Sequence, residues 1–102
     1  FYGILANESI RKYNVDIALL GCKGLNTANG VSDSSESEAN LKAEMSSRAA
    51  RVVVLADHSK FDQTAFVTFL DWDTVDCIIT DEKPDDSWVE FCNRKNIRLI
   101  YE

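Results

Sequence analysis

Apolar residues along this chain come in uninterrupted blocks separated by polar clusters. The run Val52-Val53-Val54-Leu55-Ala56 contains no polar position. A short apolar block rich in β-branched residues predicts a strand covered on both faces, as in the parallel sheets of α/β domains. Such a strand gathers its polar residues at its carboxyl edge, and this one opens directly onto Asp57-His58-Ser59-Lys60-Phe61. Similar blocks predict buried strands over Asp16 to Gly21 and Val75 to Thr80. Phe66 to Leu70 reads as a shorter strand and Ile97 to Tyr101 as the closing one.

Between these blocks the apolar spacing becomes helical. Ile4, Leu5 and Ile10 suggest a short amphipathic helix ending near Tyr13-Asn14. Ser34 or Ser35 is placed to cap a helix over Glu36 to Ala50, with Glu36 and Glu38 in its first turn and Ala39, Leu41 or Lys42, Met45 and Ala49 as its inner stripe. Asp85 or Asp86 begins a helix whose apolar face carries Trp88, Val89, Phe91 and Cys92 and which Asn96 ends. Gly21, Gly24, Asn29 and Gly30 punctuate a long turn, and the segment Val31 to Ser35 that follows is small and polar. Asp16 to Asp57 and Val75 to Tyr101 are then strand-helix-strand units. Because such crossovers join parallel strands with a right-handed sense, the expected fold is α/β: three layers, a mostly parallel sheet flanked by helices.

Composition narrows the function. At 102 residues the chain is one domain or part of one. Its beginning on an aromatic, without a methionine, leads us to expect a piece of a longer protein. A net charge of −6 disfavours direct contact with nucleic acid or anionic lipid. We find no basic run, no zinc-finger spacing, no signal-peptide pattern and no apolar stretch of membrane-spanning length. Cys22, Cys77 and Cys92 are widely spaced within apolar stretches, so they read as reduced core thiols of a cytoplasmic protein. Neither a metal site nor a cofactor is expected.

If the strands at Asp16 and Val52 are parallel neighbours, their carboxyl ends bring Gly21-Cys22-Lys23-Gly24 alongside Asp57-His58-Ser59-Lys60. The start of the Glu36 helix belongs on the same side, adding Glu38 and Lys42. Lys23, Lys60 and Lys42 supply cations, while Asp57, Ser59 and Glu38 offer partners for hydroxyls, which suits a small phosphorylated polyol. Plainer readings exist for each piece. Asp57-x-Ser59 is also an ordinary capped turn, and Glu38 with Lys42 an ordinary i,i+4 ion pair. His58 is assigned no chemistry. The acidic residues Asp81, Glu82, Asp85 and Asp86 read as a solvated helix entry, and Trp72 and Trp88 as core or subunit-contact aromatics.

Taken in order, Asp16 to Leu25, Asn29-Gly30-Val31, Glu38 to Lys42 with Met45, Val53 to Phe61, and Val75 to Asp81 resemble the C-terminal effector-sensing domain of DeoR-type (GlpR-like) bacterial transcriptional repressors. The resemblance implies a fold similar to those of ribose-5-phosphate isomerase and glucosamine-6-phosphate deaminase. It also implies a sensor of phosphorylated sugars in a repressor of sugar metabolism. Such a repressor acts in the cytoplasm as an oligomer of identical chains and reaches DNA only through an N-terminal helix-turn-helix that residues 1–102 lack, as they lack the family's early glycine-rich loop. The ligand-contacting set is then Gly21, Lys23, Gly24, Glu38, Lys42, Asp57, Ser59 and Lys60, with Lys60 matching the lysine of the isomerases' Asp-x-Ser-Lys element.

An isomerase-like enzyme is the alternative. Against it, Cys22-Lys23-Gly24 stands where the isomerases carry carboxylates, and Leu41, not a glutamate, precedes Lys42. With no base placed for proton transfer at a sugar carbon, no catalytic residue is assigned. A phosphoacceptor receiver domain would need an acidic pair after its first strand to hold Mg²⁺, and Gly21-Cys22-Lys23 offers none. An oligomerisation scaffold with incidental polar turns is the remaining reading.

Overall fold

The computed structural model describes residues 14–102. The helix expected over residues 4 to 13 lies outside them. Strands β1 (Val15–Gly21), β4 (Ala49–Leu55), β6 (Cys77–Ile79) and β7 (Arg98–Ile100) form one sheet in that spatial order. Each neighbouring pair is parallel, with Leu20 opposite Val54, Val54 opposite Ile78, and Ile78 opposite Leu99. The α/β class with a parallel sheet is therefore as expected.

The region from Gly24 to Asp33 is ordered strand where a loop was expected. β2 (Gly24–Asn26) and β3 (Gly30–Asp33) form an antiparallel hairpin, and β5 (Val67–Leu70) pairs with β3 to complete a second small sheet. The hairpin turn is made by Asn26, whose Oδ1 accepts the N–H groups of Ala28 at 2.8 Å and Asn29 at 3.2 Å. Gly30 then leaves the turn at φ +114°. Val31, Ser32 and Asp33 are buried, so tertiary packing overrides the polar composition that suggested a loop.

Helix α1 (Glu36–Ser47) starts on Ser35, whose Oγ accepts the Glu38 N–H at 3.3 Å. It stops short of the expected Ala50, because Ala49 is drawn into β4 opposite Val15. Helix α2 (Asp86–Lys95) ends on Asn96 in the left-handed conformation, with φ 58°. Both helices pack on one face of the parallel sheet. Ala18, Leu20, Val52, Val54 and Ile78 from the sheet join Trp88, Phe91 and Cys92 of α2, while Ala39 of α1 is buried and Met45 packs against the same core. Phe61, Trp72, Trp88 and Phe91 meet edge to face, with ring centroids 5.0 to 5.7 Å apart. The two indoles keep their N–H bonds, Trp72 to the Asn26 carbonyl at 2.8 Å and Trp88 to Asp62 at 3.1 Å. Trp72 and Trp88 are therefore core residues.

This one-sided packing follows from the strand order. Each successive parallel strand is added on the same side of the one before, from β1 to β4 to β6 to β7. With right-handed crossovers, steps in one direction put every connection on one face. The expectation that the Val52 run is covered on both sides holds for only part of it. Val52 and Val54 are buried, Val53 is half-buried and Leu55 is exposed.

The hairpin yields a direct prediction. A Cβ on Gly30 would stand 2.1 Å from the Leu70 carbonyl oxygen, whereas one on Gly21 would meet nothing within 4 Å. Gly30→Ala should cost about 2 kcal/mol or more in urea denaturation. Gly21→Ala should change stability by less than about 0.5 kcal/mol.

Candidate functional site

The carboxyl ends of the parallel strands form one rim. Gly21 pairs with Leu55, so the corner after β1 and the corner after β4 leave the sheet side by side. A parallel bridge between Leu25 and Phe61 keeps the two chain segments together beyond the sheet. The third corner, Thr80-Asp81-Glu82, follows β6 on the same rim.

At the β4 corner, Asp57 caps a short 3₁₀ turn over His58–Lys60. Its carboxylate accepts the Ser59 N–H at 2.9 Å and the Ser59 hydroxyl, and the Lys60 ammonium lies 3.7 Å away. The bonds from the Ser59 hydroxyl and N–H hold the Asp57 carboxyl below its ordinary value. Asp57 thus shapes the turn that presents Ser59 and Lys60. His58 fastens this turn to the third corner. Its N–H donates to Asp81 Oδ1 at 2.7 Å, and its ring Nδ1 lies 2.9 Å from Asp81 Oδ2 and 3.0 Å from Glu82 Oε2. The hydrogen bond to Asp81, with the charges of Glu82 and Asp81, raises the imidazole above its ordinary value. Asp81 and Glu82, read from sequence as helix entry alone, are the partners of this histidine.

At the β1 corner the organising residue is Asp33, which the sequence reading passed over. Its side chain is fully buried at the end of β3. Oδ1 accepts the Ser34 N–H at 2.7 Å and the Ser35 N–H at 3.5 Å, answering two donors at the entrance to α1. Oδ2 binds the Lys42 ammonium at 2.6 Å. Burial alone would raise the Asp33 carboxyl, yet the bonds from Lys42 and Ser34 overcome it and hold the group below its ordinary value. Lys42 also donates to the Gly21 carbonyl at 2.9 Å and stands over the Phe69 ring, 5.7 Å from its centroid. It therefore ties helix, hairpin and strand end together while lining, with Glu38 and Gly21, a cleft of about 200 Å³. An aspartate immediately before a Ser-Ser helix cap, with a lysine two turns into the helix, was the available signal for this arrangement.

The other expected site residues fall into two groups. Lys23 is exposed on the rim, and its N–H donates to the Ser32 carbonyl at 2.9 Å. Gly24 is buried in β2, where a Cβ would lie 2.5 Å from the Gln63 carbonyl oxygen, so it serves close backbone packing. Cys22, between them, is buried and free. Burial pushes its thiol up to about 11, moderated by the charges of Lys42 and, more weakly, Lys60.

Two predictions follow from these contacts. Lys42→Met leaves the Asp33 carboxylate buried without its cation and should cost about 2 to 4 kcal/mol in chemical denaturation. Asp33 adds stability above its ordinary value of 3.8 and loses it as pH falls through its lower folded value, so the variant should also lose this acid-side dependence. His58, the single histidine, should titrate by NMR above its ordinary 6.5. Asp81→Asn should move that midpoint down towards 6.5.

Comparison with known proteins agrees with this architecture. The sequence profile described as the DeoR C terminal sensor domain matches residues 1–82. The chain is 32% identical to the HTH-type transcriptional regulator IolR of Bacillus subtilis (strain 168), over 97% of its own length and 39% of that protein. It is 38% identical to the putative aga operon transcriptional repressor of Escherichia coli O157:H7, over 98% of its length and 37% of that protein. It is 25% identical to the L-fucose operon activator of Haemophilus influenzae, over 98% of its length and 40% of that protein. The chain thus spans about two fifths of the length of these relatives. With a parallel α/β sheet, a profile match over most of its residues and relatives that are regulators along nearly all of it, this chain belongs to the DeoR family of transcriptional regulators, in the part that forms the C-terminal sensor domain.

Proposed function

We propose that this chain binds a small phosphorylated sugar at the carboxyl rim of its parallel sheet, and that occupancy biases DNA binding by the rest of a longer regulator. The observation that carries the reading is the in-register pairing of β1 with β4, which sets the Lys23 and Ser59-Lys60 corners side by side. Lys23 and Lys60 bring positive charge to the rim of a chain whose net charge is −6. Ser59, held by Asp57, offers a hydroxyl, and Glu38 at the cleft offers an acceptor for sugar hydroxyls. Gly21 leaves open space at its Cα for a ligand to approach. Lys42 and Gly24 support the site from beneath, through Asp33 and through the hairpin. The name of the fucose operon activator fits a sugar-linked effector, and the same name beside that of the aga repressor leaves the direction of control open.

Binding couples to regulation through differential affinity: a ligand shifts DNA binding only as far as it prefers one conformation of the intact protein. The His58 clip joins the β4 corner to the β6 corner, so a ligand that moves the Ser59-Lys60 turn also loads the entrance to α2. Turnover has weaker support. The carboxylate nearest to Lys42, Asp33, is buried, ion-paired and held below its ordinary value, which makes it a poor base.

The test is calorimetric titration of the intact regulator with a panel of sugar phosphates and the matching unphosphorylated sugars, with operator binding followed in parallel. At least one phosphorylated compound should bind and alter operator affinity, and Lys60→Ala should weaken it about 10- to 100-fold. Should no compound bind, or should the unphosphorylated sugars bind equally well, the assignment fails.

A further inference from the structure

His58, Asp81 and Glu82 converge on a single point at the rim. Among the described residues they are the one group of three His, Cys, Asp or Glu side chains whose donor atoms all lie within 4.8 Å of one another. His58 Nδ1 stands 2.9 Å from Asp81 Oδ2 and 3.0 Å from Glu82 Oε2. A ring N–H donates along one direction, so it serves one of these carboxylates well and the other poorly. The arrangement is also held from outside the three converging atoms. The His58 main-chain N–H donates to Asp81 Oδ1 at 2.7 Å, and the hydroxyl of the buried Thr80 donates to the same oxygen at 3.3 Å. With Oδ1 engaged twice, Oδ2 is left to face the imidazole, the kind of outer support that orients metal-binding carboxylates.

We propose that His58 Nδ1, Asp81 Oδ2 and Glu82 Oε2 form a binding site for a divalent transition-metal ion of the zinc class. A cation at their meeting point takes a lone pair from each of the three atoms, which a single proton cannot do. Zinc bonds of about 2.0 to 2.1 Å at a tetrahedral centre hold donor atoms about 3.3 Å apart, so the two nitrogen–oxygen spacings need to open by only a few tenths of an ångström. An imidazole beside two carboxylates favours Zn²⁺ over Mg²⁺ and Ca²⁺, which take oxygen donors. The three side chains are 47% to 65% exposed, so an ion enters from solvent and keeps a position for water or an anionic oxygen. Its donors come from the corners after β4 and β6, and an occupied site therefore fixes the turn that carries Ser59 and Lys60. His58 and Asp81 are 23 positions apart, which conceals the site from a search for close ligand pairs in the sequence. The inference goes beyond the effector reading and does not depend on it.

Calorimetric titration of the chelator-treated intact regulator with Zn²⁺, at about pH 8 and without any sugar phosphate, tests the site. His58→Ala and Glu82→Gln are titrated beside it. Glu82→Gln, at the most exposed of the three side chains, decides the matter if His58→Ala does not fold. The expected result is one Zn²⁺ per chain whose binding either substitution weakens by about 10-fold or more, and which equimolar Mg²⁺ does not displace. No Zn²⁺ binding, or equal binding by the parent and the variants, would overturn the proposal. So would a loss in only one of two folded variants, or displacement by Mg²⁺. Sugar-phosphate titration of the same protein is a separate measurement, so either idea can fail alone.

Discussion

The parallel, in-register pairing of β1 with β4 is the constraint on which the rest of this structure depends. Parallel neighbours share a carboxyl rim, so one register brings the Gly21 corner and the Lys60 corner together. The same pairing is the first of three steps in one direction across the sheet, which is why both described helices share a face. The shared rim that carries the candidate ligand site and the one-sided layer of described helices are thus two consequences of one topological choice. Open α/β sheets place ligands at this rim for the same reason: loops from several strands converge there without disturbing the ladder.

Around that rim the polar groups divide into those that build and those that face outward. Asp33, Lys42, Asp57 and Asp81 spend their charge on the protein itself. Asp33 answers the N–H groups of Ser34 and Ser35 just before α1 and neutralises Lys42, while Asp57 folds the turn after β4 and Asp81 anchors it through His58. A rim built this way holds the Ser59-Lys60 turn in place before any ligand arrives, which would lower the ordering cost of the proposed binding. The fully buried Asp33 is the costliest of these groups to strand, because the interior offers no water to replace its lysine.

Much of this fold was legible because the parallel strands are continuous apolar blocks that stop abruptly at polar corners. Val52 to Ala56 and Asp16 to Gly21 needed no long-range information to be found, and Ser35 and Asn96 marked helix ends by local chemistry. The β2-β3 hairpin was not legible. Val31-Ser32-Asp33-Ser34-Ser35 is polar by composition, and only burial against β5 and Gly24 turns Ser32 and Asp33 into interior residues. The site was legible in part, since a strand end with Asp-x-Ser-Lys announces a structured turn wherever it occurs. What local sequence could not announce was that Lys42 pairs with Asp33, nine positions back, or that His58 meets Asp81 across two strand ends. Those pairs exist only once the register is set.

The central claim is that the β1 and β4 corners act as one binding surface. Amide chemical-shift mapping of the intact regulator, titrated with a sugar phosphate that stabilises it, tests this most directly. The account predicts the largest perturbations at Gly21, Lys23, Ser59 and Lys60 together, saturating with a single binding constant. Perturbations confined to one of the two corners, or centred on another part of the molecule, would contradict it.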